Sequence, residues 1–147
     1  MKISKSCGAV VFTRAEDGIK FVIIANEVGY YGFPKGHAEE DETEHETARR
    51  EILEETGLDV TFVDGFRTTD EHPHIREGYP PVMKHMVYFL AEYTGQQPIP
   101  QEGEVSEILL ISYEEAMSKF QFENSRRILR EANEFLNSLD AETQKIR

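Results

Sequence analysis

The chain has 147 residues, of which 39% are hydrophobic and 30% charged, the profile of a water-soluble globular unit large enough to bury a core. A net charge of −12 excludes a general nucleic-acid binder, which needs a basic face to displace counterions. No apolar run approaches the about 18 residues of a membrane span, and the single cysteine, Cys7, excludes an internal disulfide.

The opening "MKISKSCGAVVFTR" has an early lysine pair but only a short β-rich apolar run, so it does not read as a signal peptide. A reducing cytoplasm fits the single thiol, which reads as a small strand residue. "SCGAVVFTR" and "IKFVIIANE" read as strands joined by the turn "AEDG". "VGYYGFPKG" is a glycine, proline and aromatic loop. A helix is predicted over Thr43 to Thr56, with Asp41 and Thr43 as candidate caps and Gly57 as its stop. "LDVTFVDGFRTTD" and "PVMKHMVYFLAEY" read as strands joined by the polar "EHPHIREGYP". The turn-rich "TGQQPIPQEGE" leads to a short strand, "SEILLIS". From Asn124 to Leu139, Ile128, Leu129, Ala132, Phe135, Leu136 and Leu139 form the stripe of an amphipathic helix packed on a sheet. These elements predict one α/β unit over 1–147, a mixed sheet covered by one internal and one terminal helix.

The internal helix is unusual in its charge. Glu51 stands three residues from Glu54 and four from Glu55, so the three share a face. Ala48 and Ile52 mark the face toward the core, with Leu53 beside them. A solvated surface is the ordinary fate of such a helix. Two features oppose that reading here. The helix holds no lysine, and its acidic cluster comes late, where the helix dipole disfavours negative charge by roughly 0.3–1 kcal/mol. Such placement calls for a compensating cation. Converging carboxylates are hard oxygen donors suited to Mg²⁺ or Mn²⁺. A divalent ion would also let an acidic protein hold an anionic substrate.

Gly36, Glu42, Arg50, Glu51, Ile52, Glu54, Glu55, Gly57 and Leu58 fill every fixed position of the pattern G-x5-E-x7-R-E-U-x-E-E-x-G-U, with U aliphatic. In this the chain resembles the Nudix hydrolases. The resemblance implies an α/β/α sandwich around a central mixed sheet, with this helix and the C-terminal helix covering it. It also implies metal-dependent cleavage of a nucleoside diphosphate linked to another moiety. It further implies that Glu51, Glu54 and Glu55 bind metal, with the Gly36 carbonyl adding a ligand. Arg50 would orient Glu51, and Glu42 would pair with Arg50 or stabilise the loop; a plain structural salt bridge stays open for that pair. Glu55 is the expected base that takes the proton from the attacking water.

Three further stretches narrow the substrate. "YGFPKGH", with Tyr31 where tryptophan is common, resembles the lead-in of the bis(5′-nucleosyl)-tetraphosphatases. "KHMVYFLAEY" resembles a strand of the same group, and "EVSEILLISYEEAMSKFQFENSRRILREANEFL" its C-terminal segment, with Leu110 replacing a usual tryptophan. The substrate this resemblance implies is a small nucleotide, diadenosine tetraphosphate cleaved to ATP and AMP, with its phosphate chain held by Lys35, His37 and Lys84. Lys84, Met86 and Tyr88 point to one side of a strand. Tyr88 is either sheet core or a ring stacked on a base. Phe122 lies near where a second ring is expected. Glu104 is the expected extra metal-binding carboxylate, with Glu102 and Glu107 as rivals. His72, His74 and His85 are expected to do nothing specific. RNA 5′ ends, damaged nucleoside triphosphates, diphosphoinositol polyphosphates and a non-catalytic nucleotide sensor are the alternatives. No membrane and no extended nucleic acid is expected as a partner, and the oligomeric state is open.

Overall fold

A computed structural model describes residues 1–146. Its spine is a parallel pair, β1 (Lys2–Ala15) and β7 (Val82–Glu92), in register from Lys2 opposite Val82 to Phe12 opposite Glu92. β2 (Gly18–Asn26) folds back antiparallel on the end of β1, with Phe12 opposite Phe21. β4 (Lys35–His37) takes the earlier part of the same edge, with Ser6 opposite His37. One edge of β1 thus serves two partners, and the sheet divides between them. β3 (Tyr31–Gly32) and β8 (Val105–Ile111) pair with β2. β5 (Thr61–Phe62) and β6 (Thr68–His74) pair with β7. The parallel spine with antiparallel flanks makes the sheet mixed, as predicted.

Alternation along the spine builds two cores. Cys7, Ala9 and Val11 face one way with Val87 and Phe89, and there meet Ala48 and Ile52 of α1 (Glu44–Thr56). Val10 and Phe12 face the other way with Met86, Tyr88 and Leu90. They meet Ala116 and Phe120 around α2 (Tyr113–Lys119), and Ile128, Leu129 and Leu136 of α3 (Glu123–Ile146). Strand period two sends neighbours to opposite faces, so one sequence supplies both layers.

α1 begins at Thr43, whose hydroxyl accepts from Glu46 N while the Glu46 carboxylate accepts from Thr43 N, a capping box. It ends on Gly57 at φ 72°, a left-handed cap that a side chain would strain. Thr43, not Asp41, is therefore the cap. Leu53 is 51% exposed, off the core face on which the sequence placed it beside Ile52. The stretch read as one strand from Leu58 is two, because Gly65 at φ 95° turns the chain between β5 and β6. α2 was not anticipated: Ser112, read as the end of a strand, caps it by accepting from Glu115 N.

Candidate active site

Two features of the frame position the site. β4 lays Gly36 directly over α1, so closely that a Cβ there would overlap the Glu51 carboxylate. The divided edge of β1 leaves a cleft between β2 and β3 on one side and β6 and β7 on the other.

On α1, Arg50 gathers the acidic groups. Its Nε donates to Glu42 Oε2 at 2.6 Å and its Nη2 to Glu42 Oε1 at 2.9 Å, a two-pronged pair. Nη1 donates to Glu51 at 2.8 Å and to Glu54 at 3.3 Å, while Nη2 also reaches the His37 carbonyl at 3.0 Å. These guanidinium bonds, with Thr47 and Glu39 N donating as well, hold the Glu42 carboxyl down at about 2. The charge that the helix dipole disfavours is thus partly balanced from within the helix. Glu55 is not: the backbone N–H of Lys35 donates to it at 2.8 Å. Burial, with Glu51 and Glu104 repelling it, outweighs that bond and raises its carboxyl to about 7.

The cleft encloses about 710 Å³. Lys35, Glu55 and Glu104 line its end next to α1. Lys84, Met86 and Tyr88 of β7 form its floor, with Asp70, His72 and His74 of β6 beside them. Burial lowers the Lys35 ammonium, and Lys84 lowers it further while Glu55 opposes the change. A lysine whose charge is disfavoured by burial and by a second lysine suits an anion placed beside it. Aromatic side chains make the rim. Tyr30 and Phe122 pack with ring centroids 5.2 Å apart, and Phe122 is 52% exposed. Gln121 sets that rim by accepting from Tyr31 N at 3.2 Å and donating to the Gly29 carbonyl at 3.1 Å.

Of the residues singled out in the sequence, Tyr31, Lys35, Glu55, Lys84, Tyr88, Glu104 and Phe122 line the cleft. Gly36, Arg50, Glu51 and Glu54 form the adjoining face on α1 and β4. His37 is exposed; its ring Nδ1 lies 3.4 Å from Ser4 Oγ, away from the cleft lining. Tyr88 is 5% exposed and meets Phe33 at 5.5 Å, so it is sheet core and cleft floor together. Glu104 lines the cleft; its rivals Glu102 and Glu107 do not. His72 and His74, of which nothing specific was expected, both line the cleft, whereas His85 pairs with Glu71 at 2.7 Å. The signal for them was the alternation of "DEHPH" on a strand, which puts Asp70, His72 and His74 on one side.

The family described as NUDIX domain matches residues 5–132. The chain belongs to this family. It is similar to the asymmetrical bis(5′-nucleosyl)-tetraphosphatases of Sus scrofa, at 30% identity, and Mus musculus, at 31%, each over 93% of this chain and 98% of the relative. Among solved structures it is similar to a C. elegans Ap4A hydrolase binary complex, with a TM-score of 0.79, 21% identity, and coverage of 92% of this chain and 98% of that one. The chain is a Nudix hydrolase of the pyrophosphohydrolase type with the Nudix fold.

Nudix hydrolases use divalent metals, and the residues present fit one. The face offers hard oxygen donors: three carboxylates and the backbone that Gly36 brings against Glu51. Burial disfavours the charge of Glu55, Glu51 and Glu104 add to that cost, and a cation there would offset it. Among the described residues no three of these groups form a ready cage, and Arg50 pairs with Glu51 and Glu54.

Proposed function

We propose that the chain hydrolyses a bis(5′-nucleosyl) tetraphosphate asymmetrically, diadenosine tetraphosphate and water giving ATP and AMP. One observation carries this reading: the acidic face and the aromatic-rimmed cleft meet at the hydrogen bond from Lys35 N to Glu55. A phosphate chain crossing that junction meets carboxylates on one side and has room for a nucleoside on the other. The curated relatives of near-equal length carry that activity in their names.

Each residue then has a chemical task. Mg²⁺ or Mn²⁺, held by Glu51, Glu54, Glu55, Glu104 and the Gly36 carbonyl, would neutralise phosphate charge and make a bound water more acidic. Lys35 and Lys84 take further phosphate charge from within the cleft. Glu55, buried beside the acidic face and bonded by Lys35 N, takes the proton from the attacking water. Arg50 orients Glu51. Tyr88, Tyr31 and Phe122 receive the base, and His37 donates to a distal phosphate after its ring turns from Ser4. In this reading residues 1–147 form one Nudix domain working in the cytoplasm, where Cys7 stays a thiol. No helix among the described residues is long and apolar enough to cross a membrane.

The test is a nucleotide count after incubation with diadenosine tetraphosphate and Mg²⁺ in ¹⁸O-water. ATP and AMP in equal amounts are expected, with the label on one of them locating the phosphorus attacked. Two ADP per substrate, or no turnover, defeats the proposal.

A further inference from the structure

Three carboxylates line the cleft, and two of them are already accounted for. Glu55 and Glu104 belong to the end next to α1. Asp70 does not. It lies on β6 opposite Met86, between Thr68, opposite Tyr88, and His72, opposite Lys84. A carboxylate inside a cleft for polyphosphates repels the substrate unless it faces a part of the substrate rich in hydrogen-bond donors. Of a nucleotide, only the sugar hydroxyls and the base edge offer donors, and only the base edge differs between one nucleotide and another.

The surroundings of Asp70 point to the base. Its side chain is 13% exposed, and its Oδ1 accepts from Asn124 Nδ2 at 2.8 Å. His72 Nδ1 stands 3.5 Å from its Oδ2. Asn124 follows Phe122 by two residues, and both line the cleft with Tyr88. Asp70 is therefore tied through Asn124 to the exposed ring on the rim, and through the β6–β7 register to the ring on the floor. In the proposed function Tyr88 and Phe122 receive the base, and Asp70 is the cleft carboxylate tied to both.

Edge chemistry then selects the base. Guanine presents two adjacent donors, N1–H and N2–H, which the two oxygens of one carboxylate accept together. Adenine presents its N6 amine next to N1, an acceptor whose lone pair faces the second oxygen. Protein groups that hydrogen-bond a base at two points discriminate against the wrong one, and buried polar groups left unpaired add to the penalty.

We infer that Asp70, held in place by Asn124, reads the base in the cleft and makes guanosine dinucleoside tetraphosphates better substrates than adenosine ones. This rests on the proposed function and refines its substrate class; the chemistry at the phosphates is the same for both.

The experiment compares diguanosine and diadenosine tetraphosphates as substrates of the full chain with Mg²⁺. The guanosine compound is expected to show a kcat/KM about tenfold higher. Asp70→Asn keeps an oxygen for Asn124 but turns a donor toward the base, opposed to guanine N1–H and N2–H and matched to adenine N1, and should bring the ratio to one or below. A parent enzyme with no preference overturns the inference. So does an equal loss on both substrates, which would make the bond to Asn124 purely structural. A second measurement does not depend on turnover or on the variant: calorimetry of the parent with the β,γ-methylene analogues of GTP and ATP. About tenfold tighter binding of the guanosine analogue supports the base reading even if no dinucleotide is cleaved, an outcome that sinks the proposed function alone. Equal binding sinks the base reading alone.

Discussion

The polar face of α1 and the inside of the cleft hold similar side chains in opposite circumstances. On α1, Arg50 closes pairs with Glu42, Glu51 and Glu54. In the cleft, Lys35 and Glu55 are buried, with Lys84 and Glu104 adding like charge to each, and the carboxyl rises while the ammonium falls. Closed pairs near a surface contribute little stability each, but they fix where their members point. Like charges gathered in a cleft are costly until something of opposite charge arrives, and such costs concentrate at functional sites. The first region shapes the second: Arg50 steadies Glu51 beside Gly36, one turn before Glu55.

The sharpest way to break this contrast is Glu55→Gln. Loss of a general base costs roughly 10²–10⁴-fold in kcat. Its stability effect has the opposite sign from that of an ordinary lost charge. The folded carboxyl titrates at about 7, above its ordinary 4.5, so between those values the folded chain holds a proton that the unfolded chain has released. Without added divalent ion, the parent's stability should fall as pH rises from about 4.5 to about 7, and glutamine should remove that fall. Urea unfolding at pH 5 and pH 8 checks it. A variant less stable than its parent at pH 8 would place Glu55 among the closed pairs instead.

Two glycines separate site from scaffold at somewhat smaller cost. In Gly36→Ala the new Cβ meets the far end of the Glu51 side chain, which swings away. Activity should fall at least tenfold while the melting temperature barely moves. In Gly8→Ala the new Cβ meets the Pro34 carbonyl and comes within 2.6 Å of Lys35 Cβ, so β4 must shift bodily. That change should cost about 1–3 kcal/mol of unfolding free energy. Phe122→Ala is milder still. A stacked base is worth roughly 1–3 kcal/mol, so KM should rise about tenfold with kcat held. Because Phe122 is half exposed, stability should stay within about 0.5 kcal/mol. A fall in kcat with KM unchanged would remove the ring from the binding role.

How much of this was legible beforehand follows from the range of the signals. The α1 face could be read because its carboxylates are neighbours on one helix, and helical spacing is local. The floor at Lys84, Met86 and Tyr88 could be read for the same reason, since strand alternation is local too. Asp70 and Asn124 come together from elements 54 residues apart, and nothing in the sequence announces that pair. The Tyr30–Phe122 rim likewise depends on Gln121 bridging to Gly29 across 92 positions. α2 escaped because its cap, Ser112, directly follows a β-rich run that reads as a strand to its last residue. Leu53 was misplaced because the buried side of α1 is the strip of Thr47, Ala48, Ile52 and Thr56, and two of these four are threonines that an apolar pattern does not mark.

The smallest effect sharpens the contrast within α1 itself. Glu44 opens the helix and accepts from Arg67 at 2.8 and 2.9 Å, with Lys5 at 2.6 Å on the other side. Bonding to Arg67 first, and then to Lys5, lowers its carboxyl to about 2. Here the folded chain releases a proton that the unfolded chain still holds, so the contribution is fully present above about 4.5 and is lost as pH falls through about 2. Glu44→Gln should therefore flatten the acid limb of the stability curve, modestly, since these partly exposed pairs are screened by salt. Glu55→Gln should flatten the limb between about 4.5 and 7 and leave the acid limb alone. Two glutamates on one helix, eleven residues apart, would then bend the same curve in opposite directions. If both substitutions act on the same limb, the division between charges that hold the fold and charges that await a ligand does not describe this helix.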